Sequence, residues 1–326
     1  MQKRTTSADV ARAAGVSRAT VSYVLNDTAR QSIPERTRAR VRAAAAELNY
    51  TPNPAARALR SGRSTVILFV IRHTPHGSNV GLGTLRLSER ALERGFTLLV
   101  WQSVPGEPLS WPLTHVQPRV VASFYPLPQE SMDTLALNNI PFACTSGTTM
   151  MSAREGEAAT VQVRRLVETG HRRLAHVSAA GANSATWAKP RHEAFLAACA
   201  DHGLPEPRAT SVELPPLGTP DDITDTLRAW CSGADPVTAV AAYNDAVAAL
   251  VMASARELGL RIPEDLAVIG VDDEAYAALL EPPLTTVRIP MDERADELFD
   301  TAMRVIGEEP GSEATTTVRL VPRASA

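Results

Sequence analysis

Residues 6–26 read TSADVARAAGVSRATVSYVLN, and two short helices are written into this stretch. Val10, Ala11, Ala14, Val16, Val21, Val24 and Leu25 recur at helical spacing, with Gly15 where the chain must reverse tightly. Thr6 is placed to cap the first helix, and Asp9 can reach back to it as in a capping box, although Glu or Gln is more usual there. Ser17 is placed to cap the second. With Val16, Val21 and Val24 turned inward, the second helix presents Arg18, Ala19, Ser22 and Tyr23 outward, and Thr20 and Asn26 can reach a phosphate. That is the layout of a recognition helix whose amino-terminal end enters a DNA major groove. A plain surface hairpin of two helices would share the periodicity but not the surrounding charge.

The charge is divided unevenly. Residues 1–63 carry 12 Lys and Arg against 4 Asp and Glu, whereas residues 64–326 carry 21 against 32, so an overall charge of −3 hides a basic head on an acidic body. A head of that sign suits a polyanion, because each basic group near a phosphate releases condensed counterions. The three cysteines, Cys144, Cys199 and Cys231, are far apart and lack metal-ligand spacing, so neither a disulfide framework nor a zinc site is expected, and no cofactor is implied. The amino terminus leads straight into the helix pair and no apolar run approaches a membrane span, which predicts a cytoplasmic protein with no membrane partner.

After a polar connection, Ser32-Ile33-Pro34-Glu35 reads as a cap, a proline in the first turn and a glutamate three residues beyond the cap. The third helix that follows points Val41, Ala44, Ala45 and Leu48 inward and Arg36, Arg38, Arg40 and Arg42 outward. Tyr50-Thr51-Pro52-Asn53-Pro54 must then be extended up to its prolines, and Pro54 opens a short helix over Ala55, Ala56, Arg57, Ala58, Leu59 and Arg60. A helix this short is marginal in water, so it is expected to form on a partner. Leu59, amid Arg57, Arg60 and Arg63, is suited to wedge between base steps in a minor groove, the alternative being a plain linker in which Leu59 packs on the body.

At this point the chain resembles the lactose-repressor (LacI/GalR) family of transcription regulators. DVARAAGVSRATVSYVLN matches the family's helix-turn-helix, IPERTRARVRAAAAELNYTPN its third helix and PNPAARALRSGRS its hinge helix. The resemblance implies a helix-turn-helix domain over 1–52, a hinge over 53–63 and an effector-binding, dimerising body over 64–326. It implies that Arg18, Ala19 and Tyr23 read bases, while Thr6, Ser17, Thr20, Ser22 and Asn26 hold the phosphate backbone. The hinge residues Asn53, Ala56, Arg57, Leu59 and Arg60 would enter the minor groove, Leu59 from each of two subunits opening the centre of a near-palindromic site.

The body alternates strand and helix. VILFVI at 66–71 is the continuous apolar run of a parallel strand buried on both faces, followed by the helix LRLSERALERG and the strand FTLLVW. Further strands are expected over 118–124, 141–145, 237–243 and 266–271, with helices over 132–137, 245–258 and 294–306. The fold class is therefore an all-α helix-turn-helix head plus an α/β body. The resemblance makes that body two-lobed and periplasmic-binding-protein-like, two parallel sheets flanked by helices, with crossovers near Arg164–Gly170, Thr285–Pro290 and Arg319–Val321. In such sheets ligands bind outside the carboxyl ends of the strands.

The family's YND and GxDD motifs, and its Arg ahead of an aromatic, align with Asn244, Asp272 and Arg191, which the resemblance makes effector contacts. Arg191 is expected at the start of a helix, and Trp187 and Tyr276 are nearby candidates for stacking. Such a set suits hydroxyl-rich or heteroaromatic ligands. Asp245 and Asp273 each precede a helix and are expected to cap it. The amino-terminal lobe departs from the family: its usual Asn-Pro-Phe-Phe is replaced by HTPHGSNVGLG, and its usual Asp-Asn ahead of the central helix by Arg154-Glu155, with His73, His76 and Glu155 as the available substitutes.

These features predict a homodimeric, effector-responsive regulator that binds double-stranded DNA, repression being the family default. A solute-binding protein with no DNA role would need only the body, and the basic head argues against it. Phosphate-binding glycine motifs, GxSxG and paired catalytic carboxylates are absent from the sequence, so an enzyme is not expected. The chain ends at VRLVPRASA without a heptad extension, and a tetramer is not expected.

Overall fold

The computed structural model describes residues 5–25, 33–50, 64–71, 78–103, 107–145, 148–180, 185–213, 221–311 and 317–326. The chain divides into two compact units, Met1–Thr65 and Val66–Ala326.

The first unit holds α1 (Ser7–Ala14), α2 (Arg18–Leu25) and α3 (Glu35–Glu47). Val10, Ala11, Ala14, Val21, Val24, Val41, Ala44 and Ala45 form its core, sealed at the edges by Val16, Leu25, Ile33, Leu48 and Tyr50. Gly15 ends α1 at φ 58°, a left-handed conformation that a Cβ disfavours, and the amide of Val16 returns to the Ala11 carbonyl at 3.0 Å. The third helix begins later than the sequence suggests. Pro34 stands at its cap position with an extended ψ of 140°, and the Pro34 carbonyl accepts from the amides of Thr37 and Arg38. The expected cap, Ser32, lies outside the described residues, as do Asn26 and the whole hinge with Asn53, Ala56, Arg57, Leu59 and Arg60.

The second unit begins with β1 (Val66–Ile71), α4 (Ser78–Glu93), β2 (Thr97–Gln102), α5 (Ser110–His115), β3 (Val120–Ser123), α6 (Gln129–Leu137) and β4 (Phe142–Cys144). These strands make a parallel sheet in the order β2-β1-β3-β4. Ile67 and Phe69 of β1 join one apolar cluster and Leu68 and Val70 another, so both faces are covered and the uninterrupted apolar run follows from that. The chain continues through α7 (Thr148–Glu168), β5 (Leu174–Ala179), α8 (Ala185–Asp201), β6 (Arg208–Val212), α9 (Asp221–Trp230), β7 (Ala239–Ala242), α10 (Asp245–Glu257) and β8 (Ala267–Val271). After a 3-10 turn at Ala277–Leu279 come β9 (Thr285–Arg288), α11 (Met291–Val305) and β10 (Arg319–Val321). The second sheet runs β10-β9-β8-β7-β5-β6.

Three details differ from the sequence reading. The second sheet is not wholly parallel: β10 pairs antiparallel with β9, Leu320 opposite Val287, because the chain re-enters this lobe from α11. The long helix α7 starts at Thr148, so Arg154 and Glu155 lie inside it rather than ahead of it. Since α7 packs on α8, β7, β8 and β9, the first passage between lobes comes between Cys144 and Thr148, and 164–170 belongs to the second lobe. The chain returns to the first lobe after β9, where α11 packs on α4, β3 and β4, and leaves it again before β10. Among the described residues no helix is long and apolar enough to cross a membrane.

Candidate functional site

The head carries the first candidate surface. On α2, Val21 and Val24 are buried while Arg18, Ala19 and Tyr23 are exposed, so a three-residue outward face stands on a helix fixed from behind by α1 and α3. Ser17 caps this helix, its Oγ accepting from the Thr20 amide at 3.1 Å and lying 2.9 Å from Thr20 Oγ1. Thr6 spends its hydroxyl proton on Asp9 at 2.6 Å and donates its amide to the same carboxylate at 3.0 Å. Those two bonds, with a smaller contribution from Arg12, hold the Asp9 carboxyl below its ordinary value. Ser17 and Thr6 therefore have structural duties at the helix starts besides the backbone contacts expected of them. Ser22 and Thr20 are half-buried beside this outward face. On α3, Arg36, Arg40 and Arg42 are exposed, and Arg38 is turned back so that its Nε donates to the Ile33 carbonyl at 3.3 Å.

The second candidate site lies in the body, where the carboxyl ends of β1 and β3 meet those of β7 and β8. Tyr125, just beyond β3, packs against two apolar clusters, one that draws residues from both lobes and one confined to the second. Beneath it Arg294 is 2% exposed, its guanidinium 5.0 Å from the Tyr125 ring centre and 5.6 Å from that of Phe124, with Nη1 donating to Tyr125 Oη at 3.3 Å. From α4, Asn79 Nδ2 donates to the Asp272 carbonyl at 2.7 Å, a bond that joins the two lobes directly.

On the second lobe the expected residues are linked through buried polar bonds. Arg191 is buried, donates from Nη1 to the Tyr243 carbonyl and stacks over the Tyr243 ring at 4.5 Å. It lies in the second turn of α8 rather than at its start, and Trp187, in the first turn, has a side chain outside the described set. Asn244 is the amino-terminal cap of α10, its Oδ1 accepting from the Val247 amide at 3.0 Å. The cap is therefore Asn244 and not Asp245. Asp245 is fully buried in the first turn, where its carboxylate accepts from Thr286 Oγ1 at 2.5 Å and from the Glu274 amide at 2.7 Å. Asp273 is no cap either: it has φ 53° and pairs with Arg323 at 2.6 Å. Gly270 makes room for the Asp245 carboxylate, since a Cβ there would lie 2.1 Å from Asp245 Oδ1.

Electrostatics follow from this burial. Desolvation pushes the Asp245 carboxyl up to about 8, helped by Asp272 and Glu274 and opposed by the bonds from Thr286 and Glu274. Desolvation, then the charges of Asp245, Glu274 and Asp272, raise the Tyr276 phenol above its ordinary value. Beside Arg191, His176 is held down to about 3 by burial first and by His192 and Arg191 second, and so stays neutral. Its Nδ1 lies 3.0 Å from that of His192 while its ring stacks on His192 and Phe195. Asp272, Asn244, Asp245, Glu274 and Tyr276 thus form one polar strip at the ends of β7 and β8, with Arg191 attached through Tyr243.

The sequence reading missed several residues of this site. Gln162 of α7 is fully buried and offers its amide to the carbonyls of Ala242, Ile269 and Gly270 at 2.9, 3.2 and 3.2 Å, which tethers the carboxyl ends of β7 and β8. Its signal, a lone Gln in an apolar helical face, was present. Asn79, Tyr125 and Arg294 carried none, because their roles arise from contacts between distant segments. His73 and His76 lie outside the described residues, as does the side chain of Glu155. Among the described residues no group of three or more His, Cys, Asp or Glu is placed to hold a metal ion.

Residues 6–53 match the family described as bacterial regulatory proteins, lacI family, and residues 163–326 match the periplasmic binding protein-like domain. The chain is 32% identical to the HTH-type transcriptional regulator DegA of Bacillus subtilis (strain 168), over 92% of this chain and 91% of that one. It is 30% identical to the ribose operon repressor of Escherichia coli (strain K12), over 92% and 93% respectively. Both are named as regulators of transcription rather than as enzymes. The crystal structure of the lac repressor dimer bound to operator and the anti-inducer ONPF superposes with a TM-score of 0.79 at 22% identity, over 99% of each chain.

Proposed function

The chain belongs to the LacI family of bacterial regulatory proteins, and from that premise we propose how this DNA-binding transcriptional regulator uses the residues described above. Two heads, carried on a dimeric body, read the two halves of a near-palindromic operator. Arg18, Ala19 and Tyr23 contact base edges, and Thr6, Ser17, Thr20, Ser22 and Asn26 hold phosphates. In the hinge, Asn53, Ala56, Arg57, Leu59 and Arg60 enter the minor groove, with Leu59 as the wedge. A regulator with this task acts on the chromosome, in the cytosol. The observation that carries the reading is the partition of α2, with valines buried behind and Arg18, Ala19 and Tyr23 presented outward.

A small molecule between the lobes modulates operator affinity. The carboxylate of Asp272, the buried Arg191, Asn244 and the aromatic groups of Tyr276 and Trp187 supply its contacts, and the polar strip supports a ligand rich in hydroxyl or amine donors. An effector that favours one lobe arrangement needs a coupling of only about 1 to 3 kcal/mol to change DNA affinity roughly 5- to 150-fold.

In vitro selection of duplex DNA with the full-length chain tests the reading. Arg18→Ala and Tyr23→Ala are expected to alter the selected base profile, at about 1 to 3 kcal/mol per lost bidentate contact. Leu59→Ala is expected to weaken specific binding while sparing most non-specific affinity. An unchanged profile for the first two variants would refute the recognition face, and equal losses on specific and random DNA would refute the wedge.

A further inference from the structure

Of the residues that line the cleft, Asp272 has the least ordinary backbone. Its φ is 109° and that of Asp273 is 53°, a pair of consecutive non-glycine residues on the side of the backbone map that L residues avoid. The other described non-glycine residues with positive φ, Asn49 and Asn139, follow helix ends, where asparagine commonly closes the helix. Asp272 and Asp273 have no helix end to close. A backbone of this kind persists only where its surroundings over-determine it.

Several bonds among the described residues hold this turn. The Asp272 amide donates to the Val287 carbonyl at 2.8 Å, the Asp273 amide lies 3.4 Å from Thr286 Oγ1, and the Glu274 amide donates to Asp245 at 2.7 Å. Arg323 grips the Asp273 carboxylate at 2.6 Å. All of these partners belong to the second lobe. The bond from Asn79 Nδ2 to the Asp272 carbonyl, at 2.7 Å, comes instead from α4 of the first lobe.

We propose that Asn79 is a positioning residue of the effector cleft, holding the Asp272–Asp273 turn, and with it the Asp272 carboxylate, in its ligand-facing orientation only while the two lobes are together. The inference rests on the reading that the cleft takes an effector, and it supplies the contribution of the first lobe that the altered HTPHGSNVGLG segment leaves unassigned. Opening of the lobes withdraws the donor, the peptide between Asp272 and Asp273 loses one of its restraints, and the turn relaxes. Effector affinity and lobe closure are thereby joined through a main-chain carbonyl rather than through the ligand alone. Asn79 acts through Asp272 and need not touch the ligand.

The test uses the full-length chain without ligand, comparing Asn79→Ala and Asn79→Asp with the wild type. Aspartate keeps the shape of asparagine but cannot donate when ionised, and near a helix amino terminus it leaves α4 intact. Hydrogen exchange across residues 270–276 is expected to quicken several-fold in both variants, with β7 and the thermal midpoint unchanged. Affinity for a duplex selected by the wild type is expected to shift more than threefold, in the same direction for both.

An aspartate variant that behaves like wild type would show that volume, not the donor, matters, and would overturn the proposal. So would exchange that is unaltered at 270–276, or that quickens throughout the body. A loosened turn with operator affinity within twofold of wild type would refute the coupling. If the wild type prefers no duplex at all, the regulatory reading itself fails, and the exchange comparison still judges the role of Asn79 in the turn.

Discussion

Replacing Asp245 by Asn should stabilise the body increasingly as pH rises. The carboxyl is fully buried, and burial raises it to about 8 from an ordinary value of 3.8. Between those values the folded chain keeps a proton that the unfolded chain has released. Stability from this group is therefore fully present below about pH 4 and declines as pH rises toward 8, by up to about 1.4 kcal/mol per pH unit. Asparagine mimics the protonated form: its oxygen accepts from the Glu274 amide and its NH2 faces Thr286 Oγ1, whose hydroxyl can turn to accept. The gap in favour of Asp245→Asn should widen by up to about 3 kcal/mol between pH 5 and pH 7. Urea titrations followed by tryptophan fluorescence measure it, since all four tryptophans, at 101, 111, 187 and 230, lie in the body. A stability difference that stays constant with pH, or that turns against the variant as pH rises, would refute the assignment of a neutral buried carboxyl.

Three further outcomes follow from packing. Gly270→Ala puts a Cβ 2.1 Å from Asp245 Oδ1 and 3.1 Å from Leu284 Cδ2, so overpacking and disturbance of the Asp245 bonds should together cost about 3 kcal/mol, read in the same urea titration; a loss below about 1 kcal/mol would contradict it. Val41→Ala removes a fully buried side chain from the head's small core, and hydrogen exchange of α1, α2 and α3 should quicken by a factor corresponding to about 2 kcal/mol while the body is unaffected. The Cys199 thiol, raised to about 11 by burial, should resist alkylation by iodoacetamide at pH 8 until the body unfolds, and labelling at the rate of an exposed thiol would contradict its placement.

Much of the fold could be read from local pattern because the chain's local and global preferences agree. The run at 66–71 signals a strand covered on both faces, and the spacing of Val10, Ala14, Val21 and Val24 fixes which side of α2 remains exposed. One edge strand was harder: β6, RATSV, is mostly polar and exposed, so it has neither the apolar run nor the clean alternation that marks a buried strand. At the cleft, sequence motifs drew attention to Asn244, Asp245, Asp272 and Asp273 but misassigned which carboxylate or amide caps a helix. Asp245 is drawn inward by Thr286 and the Glu274 amide, partners far away in sequence, and that leaves the capping to Asn244. The partners of Asn79 and Arg294 likewise lie in segments that only the folded body brings beside them, Asp272 for the first and Phe124 and Tyr125 for the second.

The most direct measurement is competition binding of the full-length chain to its selected duplex against random DNA at moderate ionic strength. The account predicts a two-fold symmetric preferred site bound at least about a thousandfold more tightly than random sequence. Equal affinity for every duplex, with losses tracking salt alone, would contradict it.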